Sequence, residues 1–270
     1  MKNLNVRLRE ESLNVIIADF IEKLKLNPTD CDLRCSFIEL LCIDGQFERA
    51  DQQVSLLIKQ RPEYLVGGNN LRQLIHAAQS RIDYFNGHAS AQLLVGETET
   101  FEHFVALNMA RLSNDIEDIE QRTTQLEATR KVARLKVNGK VHEDCRELDD
   151  SLAGYLELFG TDGGYYLVPF DAIDRLEFKP VTSLIELVWR KVDIEVAGGP
   201  SGDAFVPITY IASETDAQKL GRETDWLEIS GTQTVVGQGL KMWLVGEEAI
   251  ALSQCEVVEA EEKRQVVTEA

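Results

Sequence analysis

Two segments with helical periodicity, separated by a short loop, lie between residues 30 and 62. In each segment apolar residues recur at three- and four-residue spacing, which predicts an amphipathic helix with one buried face. The loop contains Gly45, and Pro62 cannot continue the second helix. We therefore predict a helical hairpin over residues 30–62.

The hairpin has the spacing of a tetratricopeptide unit. Gly45, Phe47 and Ala50 follow the order of the second half of such a unit, in which a small residue lets two helices approach closely. Pro28 and Pro62 are also separated by 34 residues, the period of this repeat. Apolar residues before Pro28 indicate a degenerate preceding helix, and no third clean unit follows. The pattern favours a short helical array over a long solenoid.

The remaining helical patterns complete an N-terminal helical lobe at residues 1–112. We predict helices over residues 9–26, over 71–85 after a flexible loop at 67–70, and over 98–112 with Thr98 as N-cap. A further helix at residues 113–130, capped by Ser113, has an apolar seam too narrow for a helix surrounded by core. We interpret it as a half-exposed connecting helix, with a partner-facing coiled-coil arm as the alternative.

From residue 132 the pattern changes to the alternation that is typical of strands. The dipeptide Asn138-Gly139 predicts one hairpin, and residues 161–164 predict the turn of another within 152–170. Further strands are expected at 175–178, 192–196 and 204–210, with two more within 239–259. Short helices are expected at 182–190 and from Thr215 or Ser213 up to Trp226. The fold class is therefore α+β, with a tetratricopeptide-like helical lobe followed by a mainly antiparallel β lobe with short helices at 131–259 and a polar tail at 260–270.

Charge and hydropathy limit the classes of partner. The 270 residues carry a formal net charge of −18, which repels nucleic acid phosphates and anionic lipid and attracts basic partners. Solubility alone is the simpler interpretation of this charge. The N-terminus lacks an apolar core of signal-peptide length, and no segment approaches the length of a membrane span. We predict a cytoplasmic protein that binds neither nucleic acid nor membrane.

The residues that could carry chemistry favour no catalytic, metal or cofactor site. The cysteines are odd in number and lack a Cys-x-x-Cys pair, so we interpret them as small buried residues. His142 and Cys145 flank two carboxylates, but neighbouring residues in a strand or loop point in different directions, which indicates a solvated connector. The acidic residues at 147–150 are likewise interpreted as a solvated turn. Catalytic motifs of hydrolases and nucleotide-binding loops are missing from the sequence.

Tyrosine and tryptophan residues are concentrated in the second lobe, and aromatic side chains are the usual anchors of protein interfaces. Trp189 and Trp243 are expected in the core, and core packing is the alternative for at least half of the set. The candidates for partner binding are Tyr155, Tyr165, Tyr166, Tyr210 and Trp226.

Several motifs in one order resemble a known family over nearly the full length of the chain. They are LCIDGQFERA at 41–50, GGYYLVPF at 163–170, LIELVW at 184–189, FVPITY at 205–210, GRETDW at 221–226 and GQGLKMWL at 237–244. This set resembles the ImpE/TagJ (SciE) family of type VI secretion system accessory proteins. The chain departs from the family at residues 211–212, where Ile-Ala stands in place of an expected Pro-Gly.

The resemblance implies a non-enzymatic adaptor. Such a protein would bind the N-terminal helical segment of the small contractile-sheath subunit and assist the AAA+ ATPase that recycles contracted sheath. We place the expected peptide site on the second lobe and around the connecting helix, with a helix in a groove and strand addition as open binding modes. The alternatives are a general tetratricopeptide-type co-chaperone that uses the groove at 30–62, and a hydrolase that needs His142 or Cys145.

Overall fold

The described part of the chain, residues 4–96 and 98–261 of a computed structural model, forms helices first and strands second. Seven of its α-helices precede residue 130, and an eighth, short helix lies among the later strands. The helices are α1 (Leu4–Glu10), α2 (Leu13–Leu26), α3 (Cys31–Ile43), α4 (Phe47–Gln60), α5 (Leu65–Phe85), α6 (Glu99–Ser113), α7 (Ile116–Thr129) and α8 (Asp216–Lys219).

The strands form one large sheet and two small ones. They are β1 (Gln92–Leu93), β2 (Leu135–Val137), β3 (Lys140–His142), β4 (Cys145–Glu147), β5 (Tyr155–Gly160), β6 (Tyr165–Pro169), β7 (Ile173–Phe178), β8 (Trp189–Val196), β9 (Ser201–Pro207), β10 (Thr224–Glu228), β11 (Val235–Gly239), β12 (Met242–Val245), β13 (Glu248–Ala251) and β14 (Val257–Ala260). The large sheet has the order β1-β6-β5-β9-β8-β7-β14-β2-β3, and the small sheets are β13-β12-β4 and the ribbon β10-β11. Only the β1–β6 pair is parallel among these strands. The predicted α+β class is confirmed.

The large sheet separates two apolar cores because side chains alternate along its strands. On β5, Tyr155 and Phe159 belong to the core shared with the helices, whereas Leu156 and Leu158 belong to the opposite core. The second core also contains Trp243 of β12, so the three-stranded sheet covers that face. The helices and the sheet therefore share one of the two cores.

The predicted helical hairpin is confirmed as α3 and α4. Asp30 caps α3 by accepting a hydrogen bond from the Leu33 amide at 2.9 Å, and α4 ends at Gln60, before Pro62. Leu40 and Ala50 are completely buried. The Phe47 ring contacts Trp189 of the sheet with 5.9 Å between ring centroids. The hairpin thus packs into the shared core.

The predicted flexible loop at residues 67–70 is wrong, because these residues lie inside α5. A β-carbon on Gly68 would come within 2.8 Å of Ile58 Cδ1 on α4. Glycine at this position lets α4 and α5 approach closely, and neighbouring packing outweighs its poor helix propensity.

Three other helical predictions differ from the structure. The helix expected at 9–26 is interrupted after α1, and Ser12 caps α2. The segment 182–190 contains only a 3-10 turn at Ile185–Leu187, and Trp189 begins β8, where it pairs with Pro207. Thr215 caps α8 as expected, but this helix ends at Lys219. Gly221 has a left-handed φ of 61°, a conformation that cannot continue a right-handed helix.

The predicted β-hairpin turns are confirmed. Asn138 and Gly139 have φ values of 47° and 88°, the left-handed pair that a two-residue type I′ turn requires, and they join β2 to β3. Residues 161–164 join β5 to β6 as expected. Ala260 of the predicted tail pairs with Leu135, whereas residues 262–270 lie outside the described residues. The domain boundaries at 112, 130 and 259 stay a prediction.

A buried ionic cluster joins the helices to the sheet. Arg81 of α5 donates two hydrogen bonds of 2.6 Å to the two carboxylate oxygens of Glu157 on β5. Lys241, which follows β11, donates to the same carboxylate, and Tyr165 donates its hydroxyl hydrogen at 2.8 Å. Burial alone would raise the pKa of Glu157, but the charges of Arg81 and Lys241 outweigh it and lower the pKa to about 2. Glu157 is thus a carboxylate held by two buried cations.

We expect Glu157→Gln to lower the free energy of unfolding by about 3–5 kcal/mol, because it leaves the charges of Arg81 and Lys241 buried without a counter-ion. Urea denaturation at neutral pH measures this change. The matched control is Glu177→Gln, which removes a half-exposed partner of Arg175 and Lys179 and should cost much less, because solvent screens this ion pair. Equal costs for the two variants would contradict the role of the cluster.

Candidate partner-binding site

The ribbon β10-β11 and helix α7 form a surface at which the sheet region and the helical region meet. Thr123 of α7 hydrogen-bonds Thr234 with 2.9 Å between the hydroxyl oxygens, and the Gln233 amide donates to Glu120 at 3.2 Å. Gly231, in the turn of the ribbon, lies so close to Ile116 that a β-carbon would be 3.0 Å from the Ile116 side chain. The turn of the ribbon is therefore seated on α7.

Helix α7 begins later than predicted. Ser113 is the last residue of α6 and not the N-cap of α7, because Asn114 adopts a left-handed conformation with a φ of 54° that ends α6. Asp115 is the cap, and its carboxylate accepts a hydrogen bond from the Asp118 amide at 3.1 Å. Ile119 and Leu126 are buried along the narrow seam that the sequence predicts.

A cleft of about 660 Å³ lies between α7 and the ribbon. Its walls carry small side chains such as Thr124 and Ala128 and the carboxylates of three acidic residues, Glu120, Glu127 and Asp150. Such a cleft has room for side chains from one face of a helix. Glu127 pairs with Arg130 at 2.8 Å and Asp150 lies 3.9 Å from Arg146, so the charges of these two carboxylates are partly compensated within the chain.

The far side of the ribbon is held by carboxylates of the segment 147–150, for which the prediction of a solvated turn is wrong. Residues 147–150 are not a solvated turn: Asp149 is buried and accepts hydrogen bonds from the Ser151 amide at 2.8 Å and the Gly237 amide at 2.9 Å. Asp150 accepts from the Val235 amide at 2.9 Å. These carboxylates accept hydrogen bonds from the backbone amides of β11 that face away from β10. In this respect they take the role that a neighbouring strand would have.

Glu147 supports the same region through Tyr210, whose ring lies against β11. It is buried on β4 and accepts a hydrogen bond of 2.7 Å from the Tyr210 hydroxyl, which in turn accepts from the Met242 amide at 3.0 Å. The Tyr210 ring lies against Gly237, where a β-carbon would be 2.2 Å from the ring. Burial raises the pKa of Glu147 to about 7, although Lys241 and the Tyr210 hydrogen bond act in the opposite direction.

A period of two along β4 is the signal that could have found Glu147. Cys145 is apolar and buried, and side chains two residues apart on a strand point to the same face. Glu157 has a comparable signal, since it lies between Leu156 and Leu158 in an otherwise apolar strand. Because the chain has 46 acidic residues, a single acidic residue in a strand does not stand out in the sequence.

The five aromatic candidates do not form one surface. Tyr155, Tyr165 and Tyr210 are buried and contact other residues of the chain, whereas Trp226 is 43% exposed. Tyr166 is partly buried and donates to Asp162 at 2.7 Å. Trp226 is thus the candidate that presents the most surface to a partner, and the binding role of all five stays a prediction. Trp189 and Trp243 lie in the core, as predicted.

The segment at 142–145 has no catalytic arrangement of its side chains. Asp144 binds the Arg130 guanidinium at 2.6 and 3.0 Å and accepts from the Ala133 amide. Burial raises the pKa of the Cys145 thiol to about 11, so the reactive thiolate is disfavoured. Among residues 4–96 and 98–261, no three His, Cys, Asp or Glu side chains are grouped as metal ligands.

The cysteines differ in burial. Cys42, Cys145 and Cys255 are buried as expected, whereas Cys31 and Cys35 at the start of α3 are partly exposed. All five are free thiols. None of the described helices combines the length and the apolar content needed to cross a bilayer.

Comparison with known proteins decides the family. The model of the ImpE protein family matches residues 139–259, which include strands β3 to β13 and the whole ribbon. The chain is 26% identical over 250 residues to the type VI secretion system accessory component TagJ of Pseudomonas aeruginosa, covering 90% of this chain and 86% of that protein. The chain belongs to the ImpE family.

A solved structure is similar to the whole fold. The X-ray crystal structure of a protein from Vibrio parahaemolyticus is 44% identical in sequence and superimposes with a TM-score of 0.92. The similarity covers 96% of this chain and 97% of the other. The ImpE-family region and the N-terminal helices therefore occur together in both proteins. Residues 210–213, where the chain departs from the expected family sequence, form a turn in which Ser213 Oγ accepts from the Gly239 amide at 2.9 Å.

The buried carboxylate of Glu147 predicts a distinct pH dependence. Its folded pKa of about 7 lies above the ordinary value of 4.5, so its ionisation costs stability as pH rises from about 4.5 to 7. The free energy of unfolding of Glu147→Gln, taken relative to that of wild type, should therefore be higher at pH 8 than at pH 5 by about 2 kcal/mol. Urea denaturation at both pH values measures the difference. Glu10→Gln, on the exposed face of α1, should show no such difference, and an equal effect of Glu147→Gln at both pH values would contradict the buried carboxylate.

Proposed function

We propose that this protein is a non-enzymatic accessory adaptor of a type VI secretion system. The observation that carries the proposal is the similarity to TagJ, which extends over 90% of this chain and includes the helices as well as the sheets. Adaptors need surfaces and not reactive groups, and the buried carboxylates of Glu147, Glu157 and Asp149 are committed to internal hydrogen bonds. The function is accordingly protein binding.

The partner that we propose is the N-terminal helical segment of the small contractile-sheath subunit, with the sheath-recycling AAA+ ATPase as a second contact. The family resemblance supports this assignment. The net charge of −18 disfavours nucleic acid and anionic lipid as partners. Both proposed partners imply a cytoplasmic location.

We assign the helical segment to the cleft between α7 and the ribbon. The small side chains of Thr124 and Ala128 allow another helix to approach closely, while the exposed carboxylate of Glu120 favours a basic residue along its flank. The helical hairpin α3–α4 is less suited, because the facing side chains of its two helices are buried in the shared core.

Ala128→Arg tests this site in the full-length protein. The long charged side chain should fill the cleft and weaken binding of a synthetic peptide of the sheath-subunit N-terminus by about tenfold or more, which corresponds to about 1.4 kcal/mol. Fluorescence anisotropy of the labelled peptide measures the affinity.

Ala18→Arg is the matched control, because Ala18 is also an exposed helical alanine, on α2 and outside the cleft. It should leave the affinity unchanged. Unchanged affinity of a folded Ala128→Arg variant would reject the cleft, and a wild-type protein that does not bind the peptide would reject the proposed partner.

A further inference from the structure

Strand β10 has one backbone edge without a strand partner in the described chain. The Ile229 amide donates to Thr234 O at 2.9 Å, and the Leu240 amide donates to Glu223 O at 2.8 Å. Both pairs lie in the same antiparallel register, in which hydrogen-bonded positions alternate, so Asp225 and Leu227 face β11. The backbone N–H and C=O groups of Thr224, Trp226 and Glu228 therefore point away from the ribbon.

The ribbon is fixed from its other side, so this edge is preformed. The outward amides of β11, at Val235, Gly237 and Gly239, donate to Asp150, Asp149 and Ser213. These anchors lie in segments that pack on the sheets. A partner strand would consequently add to an ordered template and would not have to order the ribbon first.

The side chains of β10 offer apolar contacts on both faces. Trp226 and Leu227 are 43% and 49% exposed, and adjacent residues of a strand point to opposite faces. Trp226 also contacts Tyr210, with 5.8 Å between ring centroids, which restrains the indole. An exposed edge strand presents unpaired backbone groups that can serve as a template for pairing with another chain.

Charge selects among possible occupants of the edge. Glu223, Asp225 and Glu228 lie on or beside β10, and the ion pairs of the described residues include none of the three. A second copy would bring a matching set of carboxylates and a second net charge of −18 to the same edge. Like charges disfavour that pairing, whereas a basic strand is attracted.

We propose that the outer edge of β10 binds an extended peptide segment that carries basic and apolar residues, by strand addition. The backbone groups of Thr224, Trp226 and Glu228 supply the hydrogen bonds, and the exposed indole of Trp226 supplies the apolar contact. This site is separate from the cleft at Ala128 and goes beyond the proposed binding of a helical segment.

A ten-residue peptide of alternating lysine and valine is the probe, with full-length protein. Hydrogen exchange followed by NMR should show that the peptide protects the amides of Trp226 and Glu228. The amides of Asp225 and Leu227, already bonded within the ribbon, should change little. The affinity of an alternating glutamate and valine peptide should be lower by at least about tenfold.

Glu228→Pro removes one outward N–H without breaking the ribbon ladder, and edge strands accept proline at such positions. It should weaken binding of the lysine-valine peptide by about tenfold, whereas Glu228→Ala, which keeps the N–H, should weaken it by less than about threefold. Calorimetric titration measures both affinities. Ala128→Arg should not affect this peptide, so failure of this site is distinguishable from failure of the cleft.

Three results would overturn the proposal. The first is a wild-type protein that does not bind the lysine-valine peptide at 1 mM or binds the glutamate peptide equally well. The second is peptide binding without protection of the Trp226 and Glu228 amides, which keeps the test valid even where the proline variant does not fold. The third is sedimentation of the free protein as a dimer that Trp226→Ala dissociates, which would assign the edge to a second copy.

Discussion

The buried interaction of Glu157 with Arg81 and Lys241 is the constraint on which the arrangement of the molecule depends. The three side chains come from a helix, from the large sheet and from the segment that joins β11 to β12. A buried carboxylate needs both cations, and each cation needs the carboxylate, because an unpaired buried charge costs several kcal/mol. The cluster therefore fixes the position of α5 on the sheet and the point at which the chain leaves the ribbon.

The ribbon follows from that position. Once Lys241 is held at Glu157, the preceding residues of β11 pass over Tyr210 and within hydrogen-bonding distance of Asp149 and Asp150. Carboxylates satisfy one edge of the ribbon, α7 supports its turn, and the outer edge of β10 has no strand partner among the described residues. An acidic protein can in this way use part of its negative charge as internal structure and present the remainder at a binding surface.

Local patterns predicted most of the elements, since their causes are local. Turns that need positive φ, such as Asn138-Gly139, and helix ends at proline are determined by neighbouring residues. The local pattern wrongly predicts a loop at Gly68. Glycine is required there by close packing against α4, and a local pattern contains no information on that contact. Trp189 begins a strand for the same kind of reason, because pairing with Pro207 outweighs the helical spacing around it.

The candidate site could be predicted only in part. The sequence indicated the region of α7 and the second lobe, and it indicated aromatic anchors, but it could not separate exposed Trp226 from buried Tyr155, Tyr165 and Tyr210. It also could not identify Glu147 and Asp149 as buried, because Glu147 accepts from Tyr210, 63 residues away, and Asp149 accepts from Gly237, 88 residues away. Long-range pairing of this kind has no signature in a single sequence.

We propose that this ImpE-family protein binds a sheath-subunit segment at α7 and the ribbon. Amide hydrogen exchange of the full-length protein, with and without the N-terminal peptide of the small sheath subunit, tests it most directly. We expect slower exchange in α7 and around Gln233 and Thr234, with little change in α3 and α4. Slower exchange confined to α3 and α4 would contradict it.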